Sequence, residues 1–347
     1  MTKKQLFSTC YFLSGAFFLG YGYTTMISLS KYDAWIGAIL GIIFGSGIVA
    51  LIGYINKVKG KQSLSDFLHT DKIIGTIIKI LLLLFSSILF IFTLANLESF
   101  ASSFFLIKTP NFIIGLPIVL LMIQFGKSGL KCVGRVAEIL YIISLPIFTF
   151  FSIAFIQYIN LDNIQPIMMS SMTDILLTAL VFAIFSAAPY MVLLNIEDDG
   201  KHYVKRYLLS AVISIGIIFV IISVLGPNLI EMYRYPEYVV LKKFKVFNFV
   251  ERIENIVAVI WLFDCIILLA SYSCMIKDLL PNKHKSWAFG GILFLLYLIA
   301  TILLANAGWM HSNLNKLAFF IGIAFLICII PILLYTFIKK KKQKMKE

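Results

Sequence analysis

Apolar residues run along this chain in ten long stretches separated by short polar segments. The stretches fall at about 7–28, 34–56, 74–105, 110–126, 135–158, 173–195, 206–229, 250–275, 287–305 and 316–338. At 1.5 Å of rise per residue each predicts a helix able to cross ~30 Å of hydrocarbon, the fourth and ninth with little to spare. Small residues interrupt two stretches at corresponding places. The first reads Phe12-Leu-Ser-Gly-Ala-Phe-Phe-Leu-Gly-Tyr-Gly-Tyr23, and the sixth reads Ala183-Ile-Phe-Ser-Ala-Ala-Pro-Tyr190. With five spans in each half, the sixth enters from the side opposite to the first, so related halves would be inverted repeats. Interrupted spans at matching positions point to a solute site near the midplane, because the freed N–H and C=O groups find no partner in lipid.

Composition agrees with this pattern. Of the 347 residues 60% are hydrophobic and only 14% charged, with a mean hydropathy of +0.95. A soluble domain carries about 25% charged residues. The expectation is therefore one all-helical membrane domain over residues 1–347. Basic residues set the orientation. With both termini in the cytoplasm, 22 of the 30 Lys and Arg fall on the inner side. The net charge of +13 thus follows topology, and its scatter over loops argues against nucleic acid as a partner. The run Lys339–Lys342 is expected against anionic lipid head groups. Lys3 and Lys4 precede an apolar run without an Ala-x-Ala site, so the run reads as a first span rather than a signal peptide.

Candidate chemistry is sparse. Cys10, Cys132, Cys265, Cys274 and Cys328 lack metal spacing and read as packing residues. His69, His202, His284 and His311 lie far apart in expected loops. No phosphate loop or nucleophile elbow is present, so neither an enzyme nor a cofactor is expected. Gly15, Gly20 and Gly22 suit either a broken helix at a solute site or close helix packing. Ser186, Ala187, Ala188 and Pro189 suit a site or a simple proline kink. Glu98 and Asp264 are acids within spans, which makes each a functional candidate. Glu98 is expected near water at the outer end of the third span. Asp264 is deeper, and could take a proton, meet a ligand amine, line a water path, or bond a neighbouring helix. Glu251, Arg252 and Glu254 open the eighth span, where acids suit the helix dipole. The outer loop 230–249 reads as an amphipathic segment on the membrane face, and loop 57–72 as a polar, basic cytoplasmic connection. Trp35, Trp287 and Trp309 are expected at head-group level.

Several segments together resemble the B subunit of bacterial spore germinant receptors, the spore germination permease family of the amino acid–polyamine–organocation transporter superfamily. They are Asp33-Ala-Trp35, Lys108-Thr109-Pro110, Gly134-Arg135-Val-Ala-Glu138, Tyr235-Pro236, Phe249-Val-Glu-Arg-Ile-Glu254 and Trp261, in the family's order over nearly the whole chain. The resemblance implies ten transmembrane helices in a 5+5 inverted repeat, with discontinuous first and sixth spans. It implies a receptor for a small, amino acid-like germinant in the inner membrane of the spore, partnered by an A subunit and a lipoprotein C subunit. The site it implies comprises Gly15 and Ala16, Phe85 and Leu89, Phe185, Ser186 and Ala187, and Asp264 and Ile267. The chain departs from the family at Phe17, where relatives often have glycine, at Gly22, where they have proline, and at Pro189, where many have glutamate. An inward Phe17 would narrow the pocket, and the missing glutamate removes a partner for a cation. A secondary amino acid transporter coupled to a proton or Na⁺ is the alternative, with Glu98 or Asp264 as the coupling acid.

Overall fold

The first apolar stretch folds as two helices, α1 (Lys3–Gly15) and α2 (Tyr23–Ser30), joined by an irregular turn at Phe18–Gly22. The backbone leaves helical geometry at Leu19 (φ −72°, ψ 130°) and Gly20 (φ 76°, ψ −18°). A positive φ is cheap only for glycine, which explains why the break centres there. Gly15 and Ala16 lie before it, at the end of α1 with Ala16 still helical.

The protein continues through α3 (Ala34–Lys59), a short α4 (Leu64–His69), α5 (Lys72–Phe104), α6 (Asn111–Ser128) and α7 (Leu130–Phe155). Then come α8 (Met172–Ala187), α9 (Tyr203–Leu225), the short α10 (Pro227–Ile230) and α11 (Pro236–Lys242), α12 (Glu254–Leu279), α13 (Trp287–Ala305) and α14 (Leu314–Lys344). This computed structural model describes residues 1–69, 71–230, 232–243, 254–280, 287–305 and 312–344. Glu251, Arg252, Phe249, His284, Trp309 and His311 lie outside them.

Eight helical stretches among the described residues are long and apolar enough to cross a membrane, and Trp287–Ile302 is a shorter apolar helix. The first of the eight, Lys3–Lys59, is divided by the break and by a tight turn at Lys31–Asp33. Large apolar side chains such as Ile142, Ile153, Ile302 and Phe319 stand on the outer surface, where lipid would meet them. This is a multi-pass membrane protein.

Helix contacts use small residues. A Cβ at Gly41 would lie 2.6 Å from the Phe182 Cβ and 2.8 Å from the Ala179 carbonyl oxygen, so α3 presses directly on α8. The spacing Gly37-x3-Gly41-x3-Gly45 carries this contact in the sequence. Gly134, in the Gly-Arg-Val-Ala-Glu segment, faces Met1 and Gln5 and seats α7 against α1.

The sixth stretch is tightened rather than opened. After Ala187 the chain continues as a 3-10 helix over Ala188–Asn195. Pro189 removes one donor, and the Tyr272 hydroxyl donates to the Ala188 and Pro189 carbonyls at 3.3 Å each. At its far end, Asn56 donates to the Leu193 carbonyl at 2.8 Å, and Lys59 donates to the Leu194 carbonyl and, at 2.7 Å, to the Ile196 carbonyl. Lys59 is buried and caps a helix end, so it is more than an orienting charge of loop 57–72.

One motif residue gains a role, and one other expectation changes. Asp33 is fully buried, and its carboxylate accepts from the Met168 and Ser170 backbone N–H groups at 2.6 and 2.9 Å, tying the turn after α2 to the approach of α8. The segment around Tyr235-Pro236 does not lie on the membrane face. Pro236, Glu237, Tyr238 and Val240 of α11 are buried against the protein, because this face carries aromatic rings and a carboxyl that the bundle matches. Residues 244–249 of that loop lie outside the described residues.

Candidate functional site

The break between α1 and α2 leaves backbone groups that need partners. Each comes from a different element. The Gly20 N–H donates to Glu237 Oε1 of α11 at 2.8 Å. The Leu19 carbonyl accepts from Asn96 Nδ2 of α5 at 2.7 Å. The Gly22 N–H returns to the Phe17 carbonyl at 3.1 Å. Tyr235 closes the set, its hydroxyl donating to Asn96 Oδ1 at 3.2 Å. The opened backbone is thus held by side chains on both sides.

Beside the break lies a cavity of about 380 Å³, within the roughly 300–1,000 Å³ range of small-molecule sites. Tyr11 and Gly15 of α1, Leu19 of the break and Tyr23 of α2 form one wall. Residues of α7, α9 and α12 form the others, and α11 contributes Glu237 and Tyr238. An aromatic cluster fastens α11 over the cavity. Phe100 of α5 meets Trp261 at 4.6 Å, Tyr235 at 5.1 Å and Tyr238 at 5.4 Å between ring centres. Phe104 meets Tyr238 at 4.3 Å.

Two acids line this space, Asp264 and Glu237, and no Lys, Arg or His does among the described residues. Among the described residues Asp264 makes no hydrogen bond or ion pair. A Cβ at Gly15 would sit 2.7 Å from Asp264 Oδ2, so α1 and α12 meet at this pair and Gly15 leaves the carboxyl its room. Glu237 is buried, and its Oε2 has no partner. Burial pushes the Glu237 carboxyl up to about 8, partly offset by hydrogen bonds from its own and the Gly20 backbone. From the cavity wall, Ser210 leads inward to Ser14 at 2.6 Å, and Ser14 to Tyr190 at 3.0 Å.

Of the residues expected at the site, Gly15 and Asp264 line this cavity. Ala16, Phe85, Leu89, Phe185, Ser186, Ala187 and Ile267 are all buried elsewhere in the bundle. Phe185 packs on Phe17 at 5.9 Å, so the Phe17 ring joins α8 to the break and does not line the cavity. Ser186 bonds Tyr207 at 2.8 Å, and Phe85 packs on Phe325 of α14. Glu98 does not reach water: it is fully buried without a hydrogen-bond partner, against Gly115 of α6 and Tyr297 of α13. Trp287 stands exposed at the start of α13, and Trp35 is half-buried. The residues missed from the sequence are Asn96 and Glu237. Glu237 follows Tyr235-Pro236, and a carboxylate on an otherwise apolar, aromatic segment was the available signal.

Comparison with known proteins places this architecture. The fold resembles that of Mhp1, a nucleobase-cation-symport-1 family transporter solved in a closed conformation with bromovinylhydantoin bound. The match has a TM-score of 0.51 and 11% identity, covering 90% of this chain and 74% of that one. The chain is 23% identical over 338 residues to YfkT of Bacillus subtilis (strain 168), which is named as a spore germination protein. That alignment covers 91% of this chain and 90% of YfkT. Residues 2–310 match the spore permease family, described as spore germination proteins. With most of its length matched, and with a transporter-like helical fold around a broken first span, this chain belongs to the spore permease family of spore germination proteins.

Proposed function

We propose that this chain is the B subunit of a nutrient germinant receptor, and that it binds a small, amino acid-like germinant inside the membrane bundle. In this reading ten spans cross the spore inner membrane as a 5+5 inverted repeat with both termini cytoplasmic. The chain is not an enzyme, and an A subunit and a lipoprotein C subunit read its state. The observation that carries the reading is the break at Leu19–Gly20, held open by Asn96 and Glu237 beside a cavity that presents an unpaired Asp264. A ligand there touches α1, α11 and α12 together, and favours whichever arrangement of them it binds more tightly. The other expected residues, from Ala16 to Ile267, would shape the bundle around that movement.

Spores lacking the chain test this. They should ignore one class of nutrient, followed by refractility and core-solute release, while germinating by other routes. Gly15→Leu should abolish the same response while the protein still inserts, because its side chain would displace Asp264. An unchanged dose–response curve in that variant would remove the pocket.

The likeness to a cation symporter and the buried acids favour a second reading, secondary transport of an amino acid with a proton or Na⁺. Saturable, gradient-driven uptake by the chain alone in proteoliposomes would establish it. A receptor needs its partner chains and need not turn over.

A further inference from the structure

The cavity has two kinds of wall. Asp264 and Glu237 bring carboxyls to the lining, with no basic residue among the described residues there. Glu237 is 6% exposed and its Oε2 has no partner. The rest of the lining is apolar, including Phe151 and Phe155 of α7 and Ile217 and Val220 of α9. Toward one side it reaches the surface of the bundle: Ser152 of α7 and Gly216 of α9 both line the cavity and are exposed. These positions lie within long apolar helices, so what meets them there is lipid. The side nearest the α9–α12 connection is covered by α11, which the Phe100 and Phe104 rings hold in place.

We infer that this cavity takes a lipophilic amine, one protonated nitrogen on an apolar body, which enters from the bilayer between α7 and α9 and places its ammonium against Asp264, with Glu237 adding a second carboxyl to the same lining. Charge decides the head group. An anion would meet the Asp264 and Glu237 carboxyls with no basic residue among the described lining to balance it, and a neutral ligand would leave Asp264 without a partner among the described residues. The walls decide the body, since apolar surface there gains from contact with carbon. The ammonium can belong to a free amine or to an aminophospholipid. The inference rests on the receptor reading for the pocket but gives it an amine without a carboxylate in place of an amino acid, and binding by the purified chain tests it separately from germination.

The experiment is calorimetric titration of the purified full chain in maltoside micelles with 2-phenylethylamine, 2-phenylethanol and 3-phenylpropionate. The amine should bind saturably, and the alcohol and the carboxylate at least tenfold more weakly. Asp264→Asn should weaken amine binding tenfold or more, with circular dichroism unchanged. Glu237→Gln is the second variant should Asp264→Asn fail to fold, and it should also weaken binding. No atom lies within 4 Å of a Cβ at Gly216, so Gly216→Trp should fold and slow amine association at least tenfold. Added phosphatidylethanolamine that competes with the amine would support the site and assign its natural ammonium to lipid. No competition would support it with a free amine. Equal binding of all three probes, or binding indifferent to both acid substitutions, would overturn the inference. An unchanged association rate in Gly216→Trp would overturn the lateral route. Loss of amine binding with intact germination would leave the receptor reading standing.

Discussion

Gly20→Ala is the sharpest perturbation of the broken span. Gly20 has φ +76°, and a Cβ there would lie 2.5 Å from both Asn96 Oδ1 and Tyr235 Cε1. A left-handed backbone costs a non-glycine residue about 1–2 kcal/mol. Forcing a methyl into a filled contact costs roughly 1–3 kcal/mol more. The neighbours have little room to give way. Asn96 is held by the Leu19 carbonyl and by Tyr235, and Tyr235 is clamped by Phe100. The expected loss is therefore about 2–5 kcal/mol. Equilibrium unfolding of the purified protein in mixed micelles measures it. Gly47→Ala is the control: its Cβ would meet nothing within 4 Å, and in the interior of α3 alanine is favoured by about 1 kcal/mol. In Asn96→Ala the steric part should shrink, so the double variant should lose less than the sum of the two single losses. A Gly20→Ala protein within about 0.5 kcal/mol of the parent, beside a well-behaved control, would refute the reasoning.

Three further outcomes follow from the same contacts. Asp33→Ala removes the acceptor of two backbone N–H groups and should cost about 2–4 kcal/mol, with faster proteolysis of residues 156–171; Asp33→Asn should retain part of the stability. Lys59→Met keeps the buried stem but leaves the Leu194 and Ile196 carbonyls without their donor, and should cost about 1–3 kcal/mol, seen as faster hydrogen exchange over residues 188–196. The Glu237 carboxyl sits at about 8 in the fold against 4.5 ordinarily, so the folded state holds the proton more tightly. Stability should then fall as pH rises from about 4.5 to 8, and Glu237→Gln should flatten that slope of Tm against pH; an unaltered slope would contradict the assignment.

Much of the architecture was legible along the chain, because lipid imposes a simple rule: an apolar run of sufficient length must satisfy its own backbone, and so becomes a helix. The long apolar runs, the glycine-rich break in the first of them and the acid within a span at Asp264 were visible on that ground. The family's motifs were visible too, although their meaning was not. In the sequence Asp33 is only part of a motif after the first span; the approach of α8 brings two N–H groups to it.

What the chain order could not reveal was which neighbour satisfies which freed group. Pro189 and Gly20 both weaken a helix locally, yet one segment tightened into a 3-10 helix and the other opened. The difference lies in the partners: hydroxyl, amide and ammonium donors from α3 and α12 reach the carbonyls after Ala187, whereas Asn96 and Glu237 flank Leu19 and Gly20. Those partners are 77 and 217 residues away along the chain for the break. Local composition establishes that a backbone group is freed. Only packing establishes what meets it, because a hydrogen bond or a cavity wall depends on distances between helices that no local pattern encodes. For the same reason Glu237 read as part of a surface segment, while the fold turns it inward to line the same cavity as Asp264.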